Sequence, residues 1–97
     1  MRILVACANG FAVSQMMKGK IEQALLELNC EKEVLDEFAI EGGVKVPTGY
    51  DVIFCPEGLV KRFRSEDNKD TVIIGMKNIL SVNEAKEHLI KHGLCNK

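Results

Sequence analysis

Tryptophan is absent from these 97 residues, tyrosine occurs once and phenylalanine four times. So few flat rings leave little on which nucleobases could stack. Excess positive charge is missing too: thirteen Lys and Arg stand against fourteen Asp and Glu, a formal net charge of −1. A binder of the phosphate backbone carries a basic footprint, so no nucleic-acid partner is expected. No apolar run nears the roughly 20 residues that span a bilayer. Met1–Cys7 sets one charge ahead of apolar residues, as an export signal does, but Asn9-Gly10 interrupts it and it reads as a strand. The four cysteines, Cys7, Cys30, Cys55 and Cys95, lack the paired spacing of a zinc site. Without an export signal they are expected to be reduced thiols in a cytoplasmic protein.

What is present is globular: 46% hydrophobic and 28% charged residues, with two prolines and eight glycines. The length fits one domain, residues 1–97, burying about 60–65% of the surface of its unfolded chain. Arg2–Cys7 is a continuous apolar run, the mark of a strand covered on both faces. Met17, Ile21, Ala24, Leu25 and Leu28 then fall on one helical stripe, with Ser14 placed to cap it. A second strand is expected within residues 33–37, and an irregular connection over 38–50. A third covers 51–55 before Pro56, and a fourth covers 71–74 before Gly75. Leu59, Val60 and Phe63 suggest a brief helix, followed by a hydrophilic loop over 65–70. Ser81-Val82-Asn83-Glu84 is a capping box opening a last helix whose stripe is Val82, Ala85, Leu89 and Ile90. Strands alternating with helices predict an α/β fold: a four-stranded parallel sheet of order 2-1-3-4, Rossmann-like, with helices on both faces.

In such sheets ligands sit beyond the carboxyl ends of the strands. Cys7 ends the first strand, and Ala8–Ser14 lead into the first helix. Small residues there let backbone N–H groups converge at a helix N-terminus, a site for an anion, whether phosphate or thiolate. From the residues alone, Cys7 reads either as an inert core thiol or as a nucleophile. Cys7-Ala8-Asn9-Gly10-Phe11-Ala12-Val13-Ser14 resembles the active-site loop of enzyme IIB proteins of the bacterial sugar phosphotransferase system, of the lactose, galactitol and ascorbate types. Met16–Lys20 and Val72–Ser81 look closest to the ascorbate type.

The resemblance implies a cytoplasmic phosphoryl carrier. Cys7 would take phosphate from a phosphohistidine of enzyme IIA and pass it to a sugar bound by the membrane enzyme IIC. Ala8, Asn9, Gly10, Phe11, Ala12, Val13 and Ser14 would form the phosphoryl-binding loop, with no metal and no cofactor. Ala8 stands where many of these proteins have glycine, and Val13 where a hydroxyl residue is usual. A IIB-like regulatory or binding module is the alternative. A low-molecular-weight phosphatase or arsenate-reductase-like enzyme is less well matched, because its arginine six residues after the cysteine is Val13 here.

Other features have plainer readings. His88, His92 and Cys95 have ligand-like spacing but sit where a chain end frays. Met16 and Phe11 read as exposed apolar contacts for a partner, or as simple filling. Lys18, Lys20, Lys61, Arg62 and Arg64 suggest a basic rim, or a solvated face. Cys7 and Cys55 end strands expected to be neighbours, about 4.8 Å apart. That leaves open a reversible disulfide between them, or Cys55 as filling beneath the loop.

Overall fold

The computed structural model describes residues 1–8, 10–40 and 45–95, and of Phe11 the backbone alone. In chain order the elements are β1 (Arg2–Cys7), α1 (Phe11–Glu27), β2 (Val34–Ala39), β3 (Val52–Pro56), α2 (Val60–Phe63), β4 (Val72–Met76) and α3 (Val82–Lys91). Single 3-10 turns occupy Glu57–Leu59 and Glu66–Asn68. The strands form one parallel sheet in the order β2-β1-β3-β4, with helices on both faces.

The apolar run of β1 follows from its place inside the sheet. Ile3–Cys7 are all at most 1% exposed. Successive side chains point to opposite faces. Ile3, Val5 and Cys7 therefore join Met17, Ile21, Ala24 and Leu25 of α1 and Ala85 and Leu89 of α3. Leu4 and Ala6 join Ile53, Cys55 and Phe63 on the other face. The α1–α3 layer is also tied by Lys86 Nζ, which donates to Glu27 at 2.8 Å and holds that carboxyl below its ordinary range.

Several boundaries move from the sequence reading. β2 runs on to Ala39 because its whole length pairs with β1, from Arg2↔Val34 to Cys7↔Ala39. β3 takes in Pro56, which pairs with Met76 and, lacking an N–H, stops the ladder there. β4 continues through Gly75, where a Cβ would lie 2.6 Å from Val60 Cγ2 and 3.0 Å from Glu57 Cα. Glycine there lets α2 and the preceding turn close on the sheet rather than ending the strand. The hydrophilic stretch 65–70 buries Asn68, whose Nδ2 donates to the Phe63 carbonyl at 3.0 Å. Gly42 and Gly43, on which the irregular connection was partly read, lie outside the described residues.

Two readings of the cysteines are overturned. Cys30 and Cys95 form a disulfide, with Cα atoms 5.4 Å apart, so the four thiols are not all reduced. The bond pins the segment after α3 to the end of α1, and Cys95 is 5% exposed rather than frayed. Cys7 and Cys55 are free. The β1–β3 register sets Leu4 beside Ile53 and Val5 beside Phe54, which puts Ala6, not Cys7, level with Cys55. The one-residue offset turns the two sulfurs to opposite faces. They cannot pair without tearing β1 from β3.

Candidate functional site

α1 begins at Phe11, four residues after Cys7. Gly10 has φ 96°, a conformation that costs glycine little and other residues much. It is the N-cap of α1, without any side-chain cap bond. The expected seven-residue loop is therefore shortened, and Phe11–Ser14 belong to the helix itself. Ser14 is not the cap: it lies in the first turn, and its amide donates to the Gly10 carbonyl at 3.1 Å.

This geometry leaves the amides of Phe11, Ala12 and Val13 without an intrahelical acceptor, at the positive end of a 17-residue helix. Cys7 sits at the carboxyl end of inner strand β1, on the face that α1 covers, and is fully buried. Its carbonyl accepts from the Ile40 amide at 2.8 Å, which fixes the strand end. Ser14 is also fully buried, and its Oγ has no hydrogen-bond partner among the described residues. A buried hydroxyl left unbonded is costly, and this one is free to bond a polar group that reaches it. Val13 is half-buried and packs against the same cluster as Cys7. Ala8, Gly10 and Ala12 are exposed at the mouth. Asn9 and the Phe11 side chain lie outside the described residues.

The other thiol is set apart chemically as well as spatially. Burial pushes the Cys55 thiol up to about 11, so it stays protonated at neutral pH. The expected basic rim is divided between faces: Lys18 and Lys20 ride on α1, Lys61 and Arg62 on α2 across the sheet. Lys18 Nζ lies 3.8 Å from Glu37 Oε2. Met16 is 53% exposed on α1. The Cys95 sulfur is committed to Cys30, which removes it from any His88–His92 ligand set. Among the described residues no group of three or more His, Cys, Asp or Glu could hold a metal. No helix among them is long and apolar enough to cross a membrane.

One residue near this edge had a different task from its sequence reading. Ser81 Oγ accepts from the Glu84 amide at 3.1 Å, the first half of the capping box. The Glu84 carboxylate does not return to Ser81. It accepts from the Lys77 and Asn78 amides at 2.7 and 2.8 Å and lies 3.1 Å from His88 Nε2. Desolvation pushes this carboxyl up, but the two amides and His88 outweigh it and hold it below the usual carboxylate range. Glu84 therefore fastens the turn that follows β4 at the carboxyl edge of the sheet. The Ser-x-x-Glu spacing gave the clue to a bound carboxylate, but not to which amides it would bind.

Comparison with known proteins shows the family. No curated protein matches the chain. A family model does match, that of "PTS system, Lactose/Cellobiose specific IIB subunit", over residues 2–91. That span runs from the first residue of β1 to the last of α3. The match takes in the whole sheet, the cysteine turn and both long helices, and the chain belongs to the lactose/cellobiose-specific IIB subunit family of the phosphotransferase system.

Proposed function

We propose that the chain carries a phosphoryl group on Cys7 between an enzyme IIA and a sugar held by a membrane enzyme IIC, working in the cytoplasm. Membership of the IIB family supports a phosphoryl-carrier role in a sugar phosphotransferase system. The observation that carries the residue assignment is the setting of Cys7: a buried strand-end thiol on the face covered by α1, in the cluster against which Val13 of the first turn packs.

In the first step the Cys7 thiolate attacks phosphorus; the S–P bond forms as the N–P bond of the phosphohistidine breaks. The ring nitrogen keeps the electron pair and takes a proton. In the second, a sugar hydroxyl oxygen attacks phosphorus, the S–P bond breaks, and the thiolate returns as the hydroxyl proton passes to a base on the sugar's side. The amides of Phe11, Ala12 and Val13 and the hydroxyl of Ser14 would hold the phosphoryl oxygens, with Ala8, Asn9 and Gly10 the other members of the phosphoryl-binding loop. Because Cys7 is fully buried, transfer requires its sulfur to become exposed. Val13 occupies the position where a phosphatase of the rival type needs its arginine, which favours holding the group over hydrolysing it.

We assign the ascorbate type on the stretches 16–20 and 72–81, although the matching family is described as lactose/cellobiose-specific. Incubation with phosphoenolpyruvate, the general phosphotransfer proteins and IIA partners of each type, followed by intact mass, tests both points. One added phosphoryl group on the Cys7 peptide is expected, formed fastest with the ascorbate-type IIA. A label on any other residue refutes the site; faster transfer from a lactose/cellobiose IIA refutes the subtype.

A further inference from the structure

The Cys30–Cys95 bond is placed where a disulfide can open and close without the fold. The positions of its two cysteines are set by backbone bonds at two helix ends. The Cys30 amide donates to Leu25 at 2.9 Å, just past α1, and the Leu94 amide donates to Leu89 at 2.9 Å, just past α3. The helices are held together by the shared core and by Lys86–Glu27. None of these contacts needs the S–S bond. Cys30 Sγ also lies 3.6 Å from the Leu94 carbonyl oxygen, an acceptor for the thiol once the bond is cut.

The two cysteines differ in exposure. Cys95 is 5% exposed and belongs to the apolar core. Cys30 is half-buried and lines an open depression with Leu26, Asn29, Glu31 and Lys32. Thiol–disulfide exchange depends on which sulfur an attacking thiolate can reach.

We propose that Cys30 is a site of reversible modification by low-molecular-weight thiols, through which the Cys30–Cys95 bond is opened and remade. An incoming thiolate bonds to Cys30 Sγ as the Cys30–Cys95 bond breaks, and Cys95 leaves with the electron pair and takes a proton. A second small thiol then attacks the mixed disulfide, releasing Cys30 as a thiol and the small molecule as its own disulfide. Two electrons pass from two small thiols to the protein; reversal uses the small-molecule disulfide as oxidant. The site lies beyond the far end of α1 from Cys7 and does not depend on the role given to that residue.

The test is incubation of the full chain in buffers of glutathione and glutathione disulfide, quenched by acid, alkylated and mapped by peptide mass. The native protein should interconvert between disulfide and dithiol forms without denaturant, passing through a glutathione adduct on the Cys30 peptide. Cys95→Ser should accumulate one glutathione on Cys30, and Cys30→Ser should modify Cys95 roughly tenfold more slowly or less. Trapping in the native chain needs no variant, so a poorly folded mutant does not blunt the result. An adduct first on Cys95, equal rates in the two variants, or opening only in denaturant overturns the proposal.

Discussion

Replacing Gly75 with alanine tests the packing between β4 and the segment that follows β3. The new Cβ would lie 2.6 Å from Val60 Cγ2, 3.0 Å from Glu57 Cα and 3.6 Å from Glu57 Cβ. Two effects compete. Glycine within a strand costs about 0.5–1 kcal/mol relative to alanine, so an unhindered change would stabilise. Overpacking a close-packed site costs about 1–3 kcal/mol. A contact at 2.6 Å cannot be relieved by a flexible chain end, because valine is short and branched, and the second neighbour is backbone. The clash should win. The net cost is up to about 2.5 kcal/mol, so thermal unfolding should fall by up to roughly 20 °C, at about 4–8 °C per kcal/mol for a domain of this size. Val60→Ala removes the nearer atom, so Gly75→Ala should cost about 1 kcal/mol less in that background than alone. Urea unfolding of the four proteins measures the coupling. A stabilised Gly75→Ala, or additivity within about 0.5 kcal/mol, would refute the reasoning.

Three other changes address the site and its edge. Cys7→Ser should abolish the phosphoryl mass added in the transfer assay while Cys55→Ser keeps it; persistent labelling of the Cys7 variant would remove the central residue from the mechanism. Ser14→Ala should leave the unphosphorylated protein as stable, or up to about 1–3 kcal/mol more so, because an unbonded buried hydroxyl goes. The same change should shorten the lifetime of the phosphoprotein, and a loss of stability above about 1 kcal/mol would show that the hydroxyl is bonded after all. Glu84→Gln tests the fastened turn through pH. The folded carboxyl titrates below its ordinary 4.5, so its ionised form adds stability above that value, lost as pH falls through the lower folded value. The native protein's advantage over Glu84→Gln in urea titrations should be full at pH 7 and shrink below about pH 4.5; an advantage constant down to pH 2 contradicts the assignment.

The sheet was legible because its order follows from pattern. Continuous apolar runs at β1 and β3 belong to inner strands, and β2, an edge strand with half-exposed residues, shows the weaker pattern. The stripe of α1 was legible for the same reason, with Met17, Ile21, Ala24 and Leu25 buried as spaced. The start of α1 was not. A capping serine is a strong local signal, but a glycine at φ 96° can begin a helix four residues sooner without any cap. The cysteine pairs failed for a different reason. Cys7 and Cys55 both end strands, and whether they meet depends on a register of one residue that hydrophobic runs covered on both faces do not reveal. Cys30 and Cys95 are 65 residues apart in sequence, and only the packing of α1 on α3 brings them together. For the candidate site, the strand-end thiol and its following helix were readable; the unbonded state of the Ser14 hydroxyl was not, since it is a property of all its neighbours at once.

The clasp between Cys30 and Cys95 also decides where the described chain can be handled. The Met1 carbonyl accepts from the Glu33 amide at 2.9 Å, and Cys95 is bonded three residues before that, at Cys30. Both Met1 and Cys95 thus gather around residues 30–33, at the amino edge of the sheet, while Cys7 lies at the carboxyl edge. A dye or a solid support attached to the exposed Glu31 or Glu33 would therefore sit at the opposite edge from Cys7, so surface-binding measurements made through those residues leave the carboxyl edge clear.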